Sequence, residues 1–433
     1  MDAADAPPPF AFSARARRTR RQPISALMAQ AVENAGVISL AAGLVDEATL
    51  PAEETARLAA DLLGADPRAA RAALQYGTTE GLAPLRRALL EHLAALDGLR
   101  PDRLGASPDQ VVVATGSQQL LFILADVLLD PGDIVVTAWP SYFVFTGALE
   151  TLGAEVRGVE IDEAGMVPEA LERLLAGLEA EGRLQRVKLV YLMSYHQNPT
   201  GITLAAERRP RLVEVVRRFS RGHRILLVED AAYRELSFED DPPPSVRASD
   251  PDGRHVALLQ TFSKPFSPGL KVGYGLLPRD LVEPVVLQKG CHDFGSANLC
   301  QHLALRALES GAYGRHLERL RRRYIKKRDA MLEALAEHLG PLGPEVRWTR
   351  PRGGLYVFVT LPEGLDTGPE GPLFARAMEE GVLYVPGEYC YPPDPTRTAP
   401  RNTLRLSYGV CEIESIRRGV AALGRAVRRV LGT

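Results

Sequence analysis

Two stretches, ILLVEDAAY (225–233) and VALLQTFSKPFSPGLKVGY (256–274), decide the reading of this chain. Each opens on a nearly continuous apolar run, the mark of a strand covered on both faces. Each run ends in groups that are costly to bury, Glu229-Asp230 in the first and Ser263-Lys264 in the second. Further runs of the same kind lie at 111–115 (VVVAT), 134–138 (IVVTA), 154–161, 188–193 (KLVYLM) and 271–277. Helical patterns at 117–129 and 205–220 separate several of them. This alternation predicts an α/β domain with a mostly parallel, seven-stranded sheet. Beyond about residue 312 the pattern changes: a charged helix (Tyr313 to Leu339) leads to strands at 354–361, 382–386 and 403–408 and a helix from Glu412. This part reads as a smaller C-terminal α+β domain.

The composition excludes several classes. The 433 residues are 45% hydrophobic and 24% charged, too apolar for a disordered chain. A formal net charge of −2 argues against a nucleic-acid surface over the whole chain. No apolar run reaches membrane-spanning length, and no signal peptide is legible, so neither a membrane nor a nucleic-acid partner is expected. Cys291, Cys300, Cys390 and Cys411 lie far apart, which favours the reducing cytoplasm over a disulfide framework. Cys291, His292, Cys300 and His302 form a loose cluster whose spacing suits no metal. The first ten residues, MDAADAPPPF, read as mobile. The basic stretch ARARRTRRQ (14–22) reads as a solvated arm or as a segment crossing a partner subunit, and Ser25 to Asn34 as a helix.

Ligands of open α/β sheets bind beyond the carboxyl ends of the strands. After the run at 111–115, Gly116-Ser117-Gln118 opens a helix, where N–H groups and a hydroxyl can hold a phosphate, or where Ser is simply a cap. After 188–193 comes HQNPTG (196–201), by itself an ordinary Pro-Gly turn. Asp230 needs a cation or hydrogen-bond donors. Lysine occurs at only six positions (188, 264, 271, 289, 326 and 327), so a lysine at this edge is notable, and an amine there suits bonding to an aldehyde. A phosphate cradle, a buried acid and a buried lysine together point to pyridoxal phosphate (PLP), which needs all three.

Ten ordered motifs carry a more specific resemblance: ISLAAGL (38–44), YGTTEGLAPLR (76–86), TGSQQ (115–119), WPSY (139–142), YHQNPTG (195–201), VEDAAY (228–233), TFSKPFSPGLKVGY (261–274), PRGGLYVFVTLP (351–362), GVLYVPG (381–387) and NTLRLSYG (402–409). The chain resembles class I/II, fold-type I PLP-dependent aminotransferases, nearest the α-aminoadipate and kynurenine aminotransferase subgroup. The resemblance implies a homodimer with shared active sites and a ping-pong exchange between an L-amino acid and a 2-oxo acid. It makes Lys264 the cofactor-bonding lysine and general base, and Asp230 the partner of the pyridine nitrogen. Asn198 and Tyr233 would bond the ring hydroxyl, and Tyr142 would stack on the ring. Ser117, Gln118, Thr261 or Ser263, and Tyr76 of the neighbouring subunit would bind the phosphate. Arg405, with Gly43 and Asn198 nearby, would clamp the substrate carboxylate. It also implies four segments: an arm and helix (1–36), a joining segment at the dimer interface (37–74), a large PLP-binding domain (75–311) and a small domain (312–433).

Three departures from the family pattern stand out. Lys271 occupies the place of a phosphate-binding Arg, and Val45 that of a Pro. Ile24-Ser25-Ala26 stands where relatives handling long acidic side chains often carry an Arg, which favours neutral apolar or aromatic substrates. Other PLP chemistry (lyase, decarboxylase or oxidase) uses the same electron sink and remains an alternative. A non-catalytic, regulator-like PLP-binding domain would need a DNA-binding segment, for which the 37 residues before Ile38 leave little room.

Overall fold

The apolar runs line up side by side in the computed structural model, which describes residues 10–34, 36–239 and 241–432. In chain order the strands are β1 (Ile38–Ser39), β2 (Val111–Thr115), β3 (Ile134–Trp139), β4 (Glu155–Asp162), β5 (Gly165–Met166), β6 (Val187–Met193), β7 (Leu226–Asp230), β8 (Val256–Thr261) and β9 (Val272–Leu276). The large sheet has the order β2-β9-β8-β7-β6-β3-β4-β5. The run from β8 through β7, β6 and β3 to β4 is parallel, whereas β9 is antiparallel to both β2 and β8. The seven expected strands are thus joined by an eighth, β5, which folds back on β4. Its two residues are too few to leave a hydrophobic run, and the turn is set by Asp162, whose carboxylate accepts from Ala164 N at 2.8 Å, and by Gly165 at φ +91°.

Both faces of the sheet are covered. Leu189 and Tyr191 of β6 join a cluster with Leu120, Leu124 and Leu149 from helices Ser117–Leu128 and Phe143–Leu152. Their neighbours Val190 and Leu192 point the other way, into a cluster with Leu171, Leu175, Leu212 and Val216 from helices Pro168–Ala180 and Arg208–Phe219. Alternate residues serve opposite cores, which is why the run has to be continuous. Each such buried Leu or Val contributes about 1.5–3 kcal/mol.

The C-terminal part begins with helix Ala312–His338 and adds β10 (Arg347–Trp348), β11 (Tyr356–Thr360), β12 (Val382–Leu383), β13 (Val385–Pro386), β14 (Thr403–Ser407) and helix Ile413–Leu431. An antiparallel sheet runs β10-β11-β14-β13. The run expected as one strand at 382–386 is divided: β12 pairs with β1, and β13 with β14. Tyr384 stands at the break, its hydroxyl donating to Thr367 O at 2.9 Å. Because β1 pairs with β12, segment 37–46 lies across both parts of the chain.

The N-terminal helix spans Pro23–Glu33, and a five-residue helix, Ala14–Arg18, precedes it. The basic stretch is exposed yet rests on its own chain: Arg15 pairs with Asp126 at 2.7 Å, and Arg18 Nε donates to Thr151 O at 3.3 Å. Residues 1–9, most of the segment expected to be mobile, lie outside the described residues. No helix among the described residues is long and apolar enough to cross a membrane.

Candidate active site

Parallel strands β6, β7 and β8 end side by side, so the groups that follow them converge. Asp230 closes β7 and is buried. Its Oδ2 accepts from Tyr191 Oη at 3.0 Å and its Oδ1 from Ala232 N at 3.1 Å. Burial is the largest influence and raises its pKa to about 6; the two hydrogen bonds oppose this, the nearby Glu229 charge adds to it, and no cation acts on it.

Lys264, three residues beyond β8, is half-buried. Its Nζ donates to Gly43 O at 2.8 Å and lies 5.9 Å from the centre of the Tyr233 ring. The two fully buried lysines have carboxylates: Lys289 pairs with Asp293 and Lys327 with Asp46, both at 2.8 Å. Lys264 forms no such pair among the described residues. Gly43 is required where it stands, since a Cβ there would lie 2.5 Å from Tyr356 Oη.

Arg405 sits on β14 between β11 and β13, not on an edge, and is 1% exposed. Its Nη1 donates to Asn198 Oδ1 and its Nη2 to Ala41 O, each at 2.8 Å. The guanidinium carbon lies 4.4 Å from the Tyr356 ring centre and 5.4 Å from that of Phe143. Among the described residues Nε has no hydrogen-bond partner and no carboxylate pairs with the group. A buried guanidinium without a counter-ion among the described residues, held between two rings, has the chemistry to take a carboxylate. Tyr142 lies close enough for Tyr356, Asp230 and Arg405 to act on its hydroxyl, and burial raises its pKa well above the usual phenol value. Ser141 N, just before it, donates to Cys390 O at 2.7 Å, tying the small domain to this edge. Tyr233 Oη lies 3.1 Å from Tyr356 Oη.

The segment expected to cradle the phosphate is shaped by packing. Helix Ser117–Leu128 starts after Gly116, at φ +79°; no side chain caps its first turn, and Gln119 N donates to Gly116 O at 3.3 Å. A Cβ on Gly273 of β9 would lie 2.3 Å from Ser117 N, so only glycine lets that strand press on the helix start. Gln118 Oε1 is buried without a partner among the described residues. Thr261 Oγ1 accepts from Ser263 N at 3.1 Å and bonds Ser263 Oγ at 2.9 Å. Lys271 is exposed at φ +52°, immediately before β9.

Seven of the expected residues are therefore brought together, Gly43, Tyr142, Asn198, Asp230, Tyr233, Lys264 and Arg405, with Thr261 and Ser263 just before Lys264 in the chain. Tyr76 does not join them within one chain. It is 82% exposed and edge-on to Phe294, with ring centres 5.9 Å apart. Gly353 and Gly354 do more than turn the chain. Gly354 is at φ +70°, and a Cβ on Gly353 would lie 2.3 Å from Nε2 of buried His196. Tyr191, Tyr356 and Phe143 were missed by sequence reasoning, because each reads as a core aromatic.

The orphaned Arg405 Nε, the cation-free Asp230, the acid-free Lys264 and the Gly273 cradle are what PLP with a bound amino acid would complete. Residues 35–423 match the family described as aminotransferase class I and II. The 2-aminoadipate transaminase of Thermus thermophilus is 36% identical over 97% of this chain and 97% of its own length. Aromatic-amino-acid aminotransferase 1 of Thermococcus litoralis is 34% identical over 96% and 94%. The structure of Pyrococcus horikoshii kynurenine aminotransferase in complex with PMP superposes with a TM-score of 0.87 at 33% identity, covering 97% of both chains. The chain belongs to the class I and II aminotransferases, and it is a PLP-dependent enzyme that moves amino groups between amino acids and 2-oxo acids.

Proposed function

We propose that the donor is an L-amino acid with a neutral apolar or aromatic side chain, and that exchange with a 2-oxo acid is ping-pong. The observation that carries this reading is Arg405, buried and without a counter-ion among the described residues, stacked near Phe143, whose apolar cluster the N-terminal helix joins. Ile24 of that helix packs with Leu27 and Phe143 in an apolar cluster. A distal carboxylate there would be desolvated without a partner.

The cofactor, when bound, supplies the electron sink that lets the substrate Cα–H bond ionise. The chain's residues do the rest. Arg405 and Asn198 fix the α-carboxylate, which aligns Cα with Lys264. Lys264 Nζ, aimed by Gly43 O, takes the Cα proton. With the cofactor bound, Asp230 would pair with the ring nitrogen, Tyr142 would stack on the ring, and Asn198 and Tyr233 would bond the ring hydroxyl. Ser117, Gln118, Thr261, Ser263 and Lys271 would hold the phosphate. The working unit is a homodimer in the cytoplasm, in which exposed Tyr76 completes the partner's phosphate cup. The chain divides as an arm and helix (1–36), a joining segment (37–74), the large domain (75–311) and the small domain (312–433).

The test is a single-turnover panel without any oxo acid. The holoenzyme should form one equivalent of oxo acid per site and no ammonia, fastest with leucine- or phenylalanine-like donors. Continued turnover with ammonia would make the enzyme a lyase or oxidase, and a highest kcat/KM for aminoadipate would refute the side-chain reading.

Two substitutions probe the anion sites. Arg405→Lys replaces a fork by a point charge, so KM should rise about 10- to 100-fold with a smaller change in kcat. An unchanged KM would remove Arg405 from carboxylate binding. Lys271→Ala should weaken PLP binding by about 2–3 kcal/mol, the scale of a lost charge-assisted hydrogen bond. Fluorescence titration of the cofactor-free chains measures this, and wild-type affinity would show that Lys271 points elsewhere.

A further inference from the structure

Asp230 is an acid in an unusual position: fully buried, it has two neutral donors, and one of them is a side chain from another strand. Tyr191 lies on β6, whose Met193 is in register with Asp230 of β7. Its hydroxyl donates to Asp230 Oδ2 at 3.0 Å while Ala232 N holds Oδ1 at 3.1 Å. One donor on each oxygen fixes the plane of the carboxylate. The Tyr191 ring also packs on Phe145, with ring centres 4.6 Å apart. The groups acting on the pair are Glu229, Tyr142 and Tyr233, none of which is a cation. A phenol that donates to a buried carboxylate favours its charged form, and among the described residues it is the one side chain that does so.

We propose that Tyr191 is a positioning residue for Asp230, fixing the plane and charge of the carboxylate that faces the cofactor's ring nitrogen. This rests on the role given to Asp230 above. Tyr191 touches neither substrate nor cofactor; it acts through the acid. Without the hydroxyl, Asp230 faces its burial with one backbone donor, takes up a proton more readily and holds the ring nitrogen less firmly.

The experiment is a double-mutant cycle of full-length chains, read as PLP dissociation constants by fluorescence quenching and as kcat and KM. Tyr191→Phe keeps the ring and its packing. It should raise the PLP dissociation constant about tenfold, the scale of one buried hydrogen bond, and lower kcat with KM little changed. In the Asp230→Asn background the same substitution should change affinity by less than about twofold. Phe145→Leu loosens the packing but keeps the hydroxyl, and should leave PLP affinity near wild type. An equal effect of Tyr191→Phe in both backgrounds, no effect in either, or a loss matched by Phe145→Leu would overturn the proposal. If Asp230→Asn alone binds and turns over like wild type, the role of Asp230 fails instead, and the two failures are distinct.

Discussion

Lys264→Ala is expected to lower turnover by about 10⁴-fold, the upper range for removing a positioned proton-transfer group, and more if the covalent bond matters as well. The cofactor should still bind, because the cup and Asp230 are untouched. Lys289 and Lys327 are committed to Asp293 and Asp46. Lys271 and Lys326 are exposed, and Lys188 lies in β6, far along the strand from its carboxyl end. Lys264 alone combines an interior position at the strand ends with an amine bonded only to a backbone carbonyl. Stopped-flow absorbance with an excess of amino acid would measure the loss. A fall of less than tenfold would place the proton-transferring amine elsewhere.

Asp230→Asn is expected to act in opposite directions on stability and on catalysis. In the cofactor-free chain the folded carboxyl titrates near 6, above its ordinary value of 3.8. Its stabilising contribution is therefore complete below about pH 4 and is lost as pH rises through 6. Two units correspond to about 3 kcal/mol. Relative to the Asn variant, the cofactor-free wild type should lose roughly that much between pH 4 and pH 8. Urea unfolding across this range measures it, and parallel curves would show that Asp230 pays no burial penalty. In the holoenzyme the proposed role of Asp230 reverses the order: Asn would not carry the charge that favours a proton on the ring nitrogen, so PLP affinity and turnover should fall.

The large sheet was legible because strands buried on both faces must be apolar at every position, as Leu189 to Leu192 show by feeding two cores in turn. Lys264 was legible through scarcity, in a chain whose basic residues are nearly all Arg. Arg405 was legible only through its motif: a charge in NTLRLSYG has the pattern of an edge strand, and its meaning comes from β11 and β13 closing on either side. Tyr191 was illegible, since a phenol in KLVYLM is indistinguishable from core until Asp230, 39 residues away, is brought beneath it. The break at Tyr384 was hidden for a similar reason. Two short strands with different partners read as one run when the partners, β1 and β14, are remote in sequence. Tyr76, exposed on one chain, would take its proposed role only through a second copy.

The central claim is that Lys264 is the residue to which the cofactor bonds. Borohydride reduction of the yellow holoenzyme, followed by proteolysis and mass spectrometry, tests it without relying on turnover. The account predicts a phosphopyridoxyl adduct on the peptide that contains Lys264, absent from the Lys264→Ala protein. An adduct on Lys188, Lys271 or Lys289, or no adduct on any lysine of a PLP-saturated enzyme, would contradict it.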